Sequence, residues 1–432
     1  MTYAPASVAQ RTRTGAIRRK GRLRRLCAIA AVTTAVLLTA TIAPAGAAGP
    51  ATPDTAMTLA PTWTSHFGDG KYRSSPVVSG DHVYIGDEDG RLTKLPLATG
   101  TEGDPGSFVP TWSSNDCGHQ IQSSPVVAGS RVFVGTLAGY VCAFDDATGG
   151  LLWRQAVPHG GWVNGLAIVG DTLYATARGG AVVAFDAFSD RGNRRWAARA
   201  AEGDAEHPML AGPLVLDGTI YVGTFDGRIV AVAPPVPGGT EPTVTEVRRF
   251  LGGRIDDTLA SDGADLYFAV NYRVGQNIGM VRLVSLTTEG QVRWNRRAES
   301  DPLYNDRVPT PTTAGDRVYF PTHSSILVLD SATGRQTAVA DTGAQKPTTP
   351  TVVNGVLYTG GLQIGGQAFG ALQAFDAATG ALLFYRRTPT VANTTPAVAP
   401  DGTVLLGGGN AGGGQGGGVV WAYAPSDAPQ HR

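Results

Sequence analysis

At 432 residues the chain could form about three average domains or one large all-β domain. Its 58 Gly and 28 Pro make about a fifth of all residues, and only 16% are charged, which excludes a coiled coil and a highly charged disordered chain. The formal net charge of zero conceals an uneven distribution along the sequence.

Residues 1–26 hold eight basic side chains and no acid, and the first acid is Asp54. A 16-residue apolar run (27–42) follows, then Ala45-Gly46-Ala47. A basic segment, a short apolar segment and a small-residue site form the pattern of a secretory signal peptide. The run falls short of the ~20 residues that a membrane span needs. The sequence therefore predicts a signal peptide at 1–47, a flexible linker at 48–58, and a mature chain that is secreted or held in the cell-envelope space without a membrane span. Arg18-Arg19 and Arg24-Arg25 leave the twin-arginine route open beside the general one. Cleavage after Ala47 leaves 27 basic residues against 35 acidic, a net charge of −8. With no basic run surviving, nucleic acid is excluded as a partner.

The rest of the chain repeats itself. Ser74-Ser-Pro-Val-Val-Ser-Gly-Asp-His-Val-Tyr-Ile-Gly86 returns as Ser123-Ser-Pro-Val-Val-Ala-Gly-Ser-Arg-Val-Phe-Val-Gly135, and the frame recurs near 213, 311, 350 and 396 with degenerate copies near 166 and 259. The eight copies are 39 to 52 residues apart, the spacing of propeller blades. Each copy reads as four short strands separated by turns, and the fourth strand usually carries an aromatic: Trp112, Trp153, Trp196, Phe250, Trp294 or Phe384. Blades with one apolar face bury it only by stacking around an axis. The fold class predicted is all-β, one eight-bladed β-propeller of four-stranded blades over 59–425, followed by a tail at 426–432. The last repeat lacks its fourth strand, and the segment around Trp63 has the spacing to supply it, so the N-terminal strand is expected to close the ring.

At Ala143-Phe-Asp145-Asp-Ala-Thr-Gly149-Gly-Leu-Leu-Trp153 and Ala374-Phe-Asp376-Ala-Ala-Thr-Gly380-Ala-Leu-Leu-Phe384 the chain resembles the pyrroloquinoline quinone (PQQ)-like repeat β-propeller family. The resemblance spans roughly residues 60–424. It implies two kinds of relative, quinoprotein dehydrogenases and non-catalytic BamB-like propellers. It also implies that the enzymes carry an adjacent Cys-Cys pair, calcium-binding residues and an Asp base, whereas Cys117 and Cys142 lie 25 residues apart here.

Strand parity sends the second-to-third and fourth-to-first connections to one face, called upper, and the remaining turns to the lower face. The upper segments carry the unusual polar residues: Arg73; His119 and Gln122; His159, Trp162 and Asn164; His207; Asp256 and Asp257; Asn305, Asp306 and Arg307; and Lys346. They are candidates for ligand binding around the central funnel, or for solvating a water-filled channel. His119, His159 and His207 could meet as metal ligands, but with no short His-x-His pair they read better as rim residues, and no metal site is predicted. Cys117 and Cys142, an even pair in an exported chain, are expected to form a disulfide. Asp87-Glu-Asp89-Gly90 lacks the spacing of a calcium loop.

The function expected is a monomeric, non-catalytic scaffold that binds a protein, glycan or small molecule through its upper loops, with no resident cofactor. The alternative is a PQQ-dependent alcohol or sugar dehydrogenase using PQQ and Ca²⁺. His159-Gly-Gly-Trp162-Val-Asn164 is the most distinctive upper segment, with Trp162 either a stacking surface or a plug.

Overall fold

The computed structural model describes residues 57, 59–67, 74–97, 109–159, 161–201, 211–274, 277–298, 308–343, 345–363, 369–409 and 418–425. The signal peptide, the linker apart from Met57, the tail, most of the Gly-rich stretch at 407–418, and the candidates Arg73, His207, Asn305, Asp306 and Arg307 lie outside the described residues.

Among the described residues thirty-four strands and no helix occur, and the strands form eight antiparallel sheets in a ring, an eight-bladed β-propeller. Blade one comprises Val77–Ser79, His82–Gly86, Leu92–Pro96 and Trp112–Ser114; blade two Val126–Ala128, Arg131–Gly135, Tyr140–Asp145 and Leu151–Ala156. Blade three comprises Val163–Val169, Thr172–Ala177, Ala181–Asp186 and Arg194–Arg199; blade four Leu214–Leu216, Thr219–Gly223, Arg228–Ala233 and Thr243–Arg249. Blade five comprises Ala260–Ser261, Asp265–Val274, Asn277–Thr287 and Val292–Ala298; blade six Thr312–Ala314, Arg317–Pro321, Ser325–Asp330 and Gln336–Asp341. Blade seven comprises Thr351–Val353, Val356–Gln363, Gly370–Asp376 and Leu382–Thr388. Blade eight comprises Ala397–Val398, Val404–Gly408 and Gly418–Pro425, and its outer strand is Leu59–Phe67, paired antiparallel with Gly418–Pro425. The N-terminal strand thus closes the ring.

First strands of neighbouring blades lie against one another around the axis. Short hydroxyl contacts tie this inner belt together. The Thr395 N–H donates to Ser75 Oγ (3.0 Å) and the Ser75 N–H to Ser124 Oγ (3.3 Å), joining blades eight, one and two. The Gly212 N–H donates to Thr258 Oγ1 (2.8 Å) between blades four and five. Two residues before the Pro in blades one, two and eight, Ser74 Oγ, Ser123 Oγ and Thr394 Oγ1 accept the Gly86, Gly135 and Gly407 N–H at 3.1, 2.7 and 2.8 Å.

On the lower side, blades one, two and five each rest an aromatic ring on a glycine of the next blade's turn. A Cβ on Gly149 would stand 2.6 Å from the Trp112 indole, and one on Gly192 or Gly334 would stand 2.5 Å from Trp153 or Trp294. Gly149 also has φ +73°, so it is required both by the turn and by the approach of the ring. Asp145 fastens that turn by accepting the Thr148 N–H (2.9 Å) and hydroxyl (2.8 Å), which holds its carboxyl below the usual range. The Trp112 and Trp294 Nε1–H donate to the Asp146 and Ser331 carbonyls at 2.8 and 2.7 Å. Asp146 is also a hub for blade one, accepting from the Tyr84 hydroxyl (2.6 Å) and the buried Lys94 ammonium (2.9 Å).

Two other seams close without a docked ring. In blade four the docking register opposite Ala231 holds Thr245, and Phe250 lies just beyond the outer strand, edge-on to Phe268 at 5.6 Å. Phe250 is therefore not the docking aromatic of that strand. In blade six the same register holds Ala338 opposite Val328. At both places the strand itself closes in, so that a Cβ on Gly290 or Gly380 would collide with the carbonyl of Val247 or Val339. Blades three and four also lack the short repeated lower turn, running instead through 187–193 and 234–242.

Trp294→Ala should lower unfolding stability by about 4 kcal/mol, the usual cost of deleting a buried indole. Thr245→Ala, at the same register without a docked ring, should cost less than about 1 kcal/mol. Urea denaturation of the two variants beside the parent checks the difference.

Candidate functional site

The upper face begins with a second lock. Ile121, Val163 and Ile255 lead into blades two, three and five, and their N–H groups donate to the carbonyls of Asp87, Thr136 and Thr224 on the preceding blade at 2.9, 3.0 and 3.1 Å. Their side chains press onto Gly86, Gly135 and Gly223, where any Cβ would collide with them. The residues immediately before these anchors are thereby held at the rim.

His119 is exposed, and its ring stacks on Tyr140 with 6° between planes and 5.5 Å between centroids. The Arg154 guanidinium lies 5.1 Å from the Tyr140 centroid and donates to the Cys117 carbonyl at 3.5 Å. Cys117 and Cys142 are joined by a disulfide with 6.1 Å between Cα atoms. The loop carrying His119 is therefore stapled to blade two's third strand, and ligand contact there requires little further ordering. Gln122 follows the anchor and is half-buried.

Blade three presents the adjoining segment. His159 is exposed and adopts φ +64°, an uncommon conformation for a residue with a Cβ. Trp162 is 39% exposed, with the Arg178 guanidinium 4.5 Å from its ring centroid. The Arg178 N–H donates to the Trp162 carbonyl at 2.8 Å, so the second-to-third turn clasps this loop. Asn164 coincides with a register shift in the first strand between Val163 and Gly165.

The two described acidic candidates, Asp256 and Asp257, are occupied. Asp256 is buried, paired with Arg254 at 2.9 Å and accepting from Asn271 Nδ2 at 3.0 Å. Arg254 also lies 3.4 Å from the Phe225 ring centroid on blade four. Asp257 accepts the Thr258 N–H (2.9 Å) and the Thr310 hydroxyl (2.8 Å), linking blades five and six. Lys346 belongs to Gln345–Pro347, an added short strand beside Gln363–Gly361 of blade seven. Gly253–Arg254 plays the same part against Tyr272–Asn271, buttressing a hairpin on blade five that rises above its neighbours.

The structure thus joins His119 to Tyr140 and Arg154, Trp162 to Arg178, and Asp256 to Arg254 and Asn271. Tyr140, Arg154 and Arg178 were not among the candidates read from the sequence, because they lie on strands and turns that obey the repeat; Arg254 opens the upper segment that holds Asp256 and Asp257. The raised hairpin had one sign, the 52-residue interval between 259 and 311. Among the described residues no three His, Cys, Asp or Glu side chains gather as a metal site.

A family model described as "Outer membrane protein assembly factor BamB" matches residues 106–235 and 260–384, more than half of the chain. The chain belongs to that family. Among solved structures, BamB from Moraxella catarrhalis superposes with a TM-score of 0.60 at 19% identity, over 87% of this chain and 100% of that one. The quinohemoprotein alcohol dehydrogenase from Comamonas testosteroni superposes with 0.62 at 13% identity, over 86% and 78%. The computationally designed protein Ika8 superposes with 0.62 at 14% identity, over 84% and 99%. Identities this low make these likenesses of fold alone. No curated protein sequence matches the chain.

One upper turn breaks the rule of its equivalents. Thr136 and Thr224 accept the N–H four residues on (3.1 and 3.0 Å), and in blade one Asp87 Oδ1 does so from Arg91 at 2.8 Å. Asp87 is fully buried, its Oδ2 has no partner, and burial raises its carboxyl above the usual range. A raised carboxyl binds its proton more tightly folded than unfolded, so its penalty is complete above the folded pKa and fades as pH falls to the unfolded value. Asp87→Thr should therefore stabilise the protein at pH 7 by about 1–2 kcal/mol. The gain should shrink toward pH 4, as denaturant midpoints across that range will show.

Proposed function

We propose that this protein is a non-catalytic scaffold of the exported or cell-envelope space that binds a protein partner through the upper loops of blades two and three. The observation that carries the reading is Trp162, a flat apolar surface against which Arg178 packs, three residues after the exposed His159, with the exposed His119 on the loop leading into blade two. Rigid aromatic and arginine side chains in a fixed loop are the usual anchors of a binding surface. The family description, an assembly factor, supports a partner that is itself a protein. The disulfide between Cys117 and Cys142 and the signal-like N-terminus support export.

The chemistry of the described donors argues against the quinone alternative. The two cysteines are bonded to each other across an upper loop of blade two, 25 residues apart, and do not form an adjacent pair. Asp256 is committed to Arg254 and Asn271 and has no free carboxylate to act as a base. The set does not fit PQQ with calcium, so no step is assigned to them.

Reconstitution with PQQ and Ca²⁺ should give no stoichiometric quinone uptake and no dye-linked alcohol oxidation; uptake with turnover would overturn the scaffold reading. Trp162→Ala should reduce recovery of cross-linked partner from cell-envelope extract at least tenfold, with the thermal midpoint shifted by no more than a few degrees. A collapsed midpoint with unchanged recovery would mark Trp162 as a structural plug.

A further inference from the structure

Blade four differs from its neighbours along its outer edge. The outer strand Thr243–Arg249 is almost wholly exposed. Three aliphatic side chains stand clear of the surface along it: Val236 at 72% exposure, Val244 at 43% and Leu251 at 81%. Val236 and Leu251 sit in tight turns at opposite ends of the strand. The Gly239 N–H closes one turn on the Val236 carbonyl (2.8 Å), with Gly238 at φ +85°. The Gly253 N–H closes the other on the Phe250 carbonyl (2.9 Å), with Gly252 at φ +73°. Both tips are therefore displayed by fixed backbone, separated by a strand roughly 23 Å long.

Arginines surround this edge. The outer strands of the eight blades together hold eleven arginines, no lysine and two acids, whereas the rest of residues 48–432 hold more acids than bases. Many of the eleven are engaged: Arg195 with Asp171 (2.7 Å), Arg249 with Glu246 (2.8 Å) and Arg293 with Asp265 (3.2 Å). On blades three and five, Arg194, Arg199 and Arg297 are exposed. Charged residues on a free strand edge discourage strand pairing. That accounts for charge there, but either sign would serve, and it leaves the uncovered aliphatic tips unexplained.

We propose that the outer edge of blade four docks edge-on onto an anionic lipid surface. Val236, Val244 and Leu251 enter the headgroup boundary, while Arg194, Arg199 and Arg297 on either side meet lipid phosphates. Arginine beside shallow apolar residues is the chemistry of an interfacial anchor, in which each basic residue near an anionic leaflet contributes and apolar area supplies the rest. This orientation leaves the upper loops of blades two and three uncovered and does not depend on what they bind.

The test is flotation with vesicles of phosphatidylcholine alone and with added phosphatidylglycerol. It is run on the full chain and, in parallel, on residues 48–432, which keep every described element and remove the apolar segment at 27–42. Enrichment on the anionic vesicles, reduced at least fivefold by Val236→Ser with Leu251→Ser and at least tenfold by Arg194→Gln with Arg199→Gln and Arg297→Gln, is the expected result. All five substituted positions are solvent-exposed, and an unchanged thermal midpoint verifies folding. Equal binding by parent and variants, or no preference of residues 48–432 for anionic vesicles, would overturn the proposal. So would retention on heparin as tight as vesicle binding, with the Val236/Leu251 variant unaffected on vesicles, because the surface would then be a site for a soluble polyanion.

Discussion

At the best-defined seams of this ring, a glycine of one blade leaves the space that a side chain of the other fills. Below, the indoles of Trp112, Trp153 and Trp294 rest where Gly149, Gly192 and Gly334 have no Cβ; above, Ile121, Val163 and Ile255 rest on Gly86, Gly135 and Gly223. Four short strands have too little apolar area to hold together alone, so these contacts between blades are what make each blade stable. The exceptions obey the same constraint. When Thr245 or Ala338 stands in place of the ring, the backbone moves onto the next glycine and the gap is closed by the strand itself.

That constraint divides the molecule. Lower turns are occupied by capping aspartates, docked rings and the Asp146 hub, and have little freedom to vary. Upper segments need only one anchoring aliphatic residue each, and what precedes the anchor is released for other uses. His119, His159 and Trp162 all stand just before such anchors. Two of these loops are further immobilised, one by the Cys117–Cys142 bond and the other by Arg178.

Membership of a family that shares its architecture with dehydrogenases does not decide activity, because fold and function are separable. The decision falls on individual side chains. Asp256 illustrates it: as an acid in an upper loop it suits a general base, but its partners Arg254 and Asn271 make it a buried structural ion pair. Breaking such a pair would leave a charge uncompensated in the interior.

The repeat frame, the number of blades, the closure by Leu59–Phe67 and the assignment of loops to faces were legible in the sequence, because strand alternation and turn glycines are local and recur eight times. The pairing of Cys117 with Cys142 was legible from compartment and count. Within the candidate site, His119 and Trp162 stood out because they depart from the repeat. Their partners Tyr140 and Arg178 did not, since a residue at a regular strand or turn position carries no mark of what lies above it. The misassignment of Phe250 has the same origin: composition places an aromatic near the end of a strand, but register decides whether it meets the next blade's glycine. Asp87 in a threonine's place, and three aliphatic tips along one edge among arginines, became visible only when residues far apart in the chain were brought to one surface. Burial, pairing and exposure are properties of neighbours, and neighbours across a blade seam are set by the ring and not by the chain.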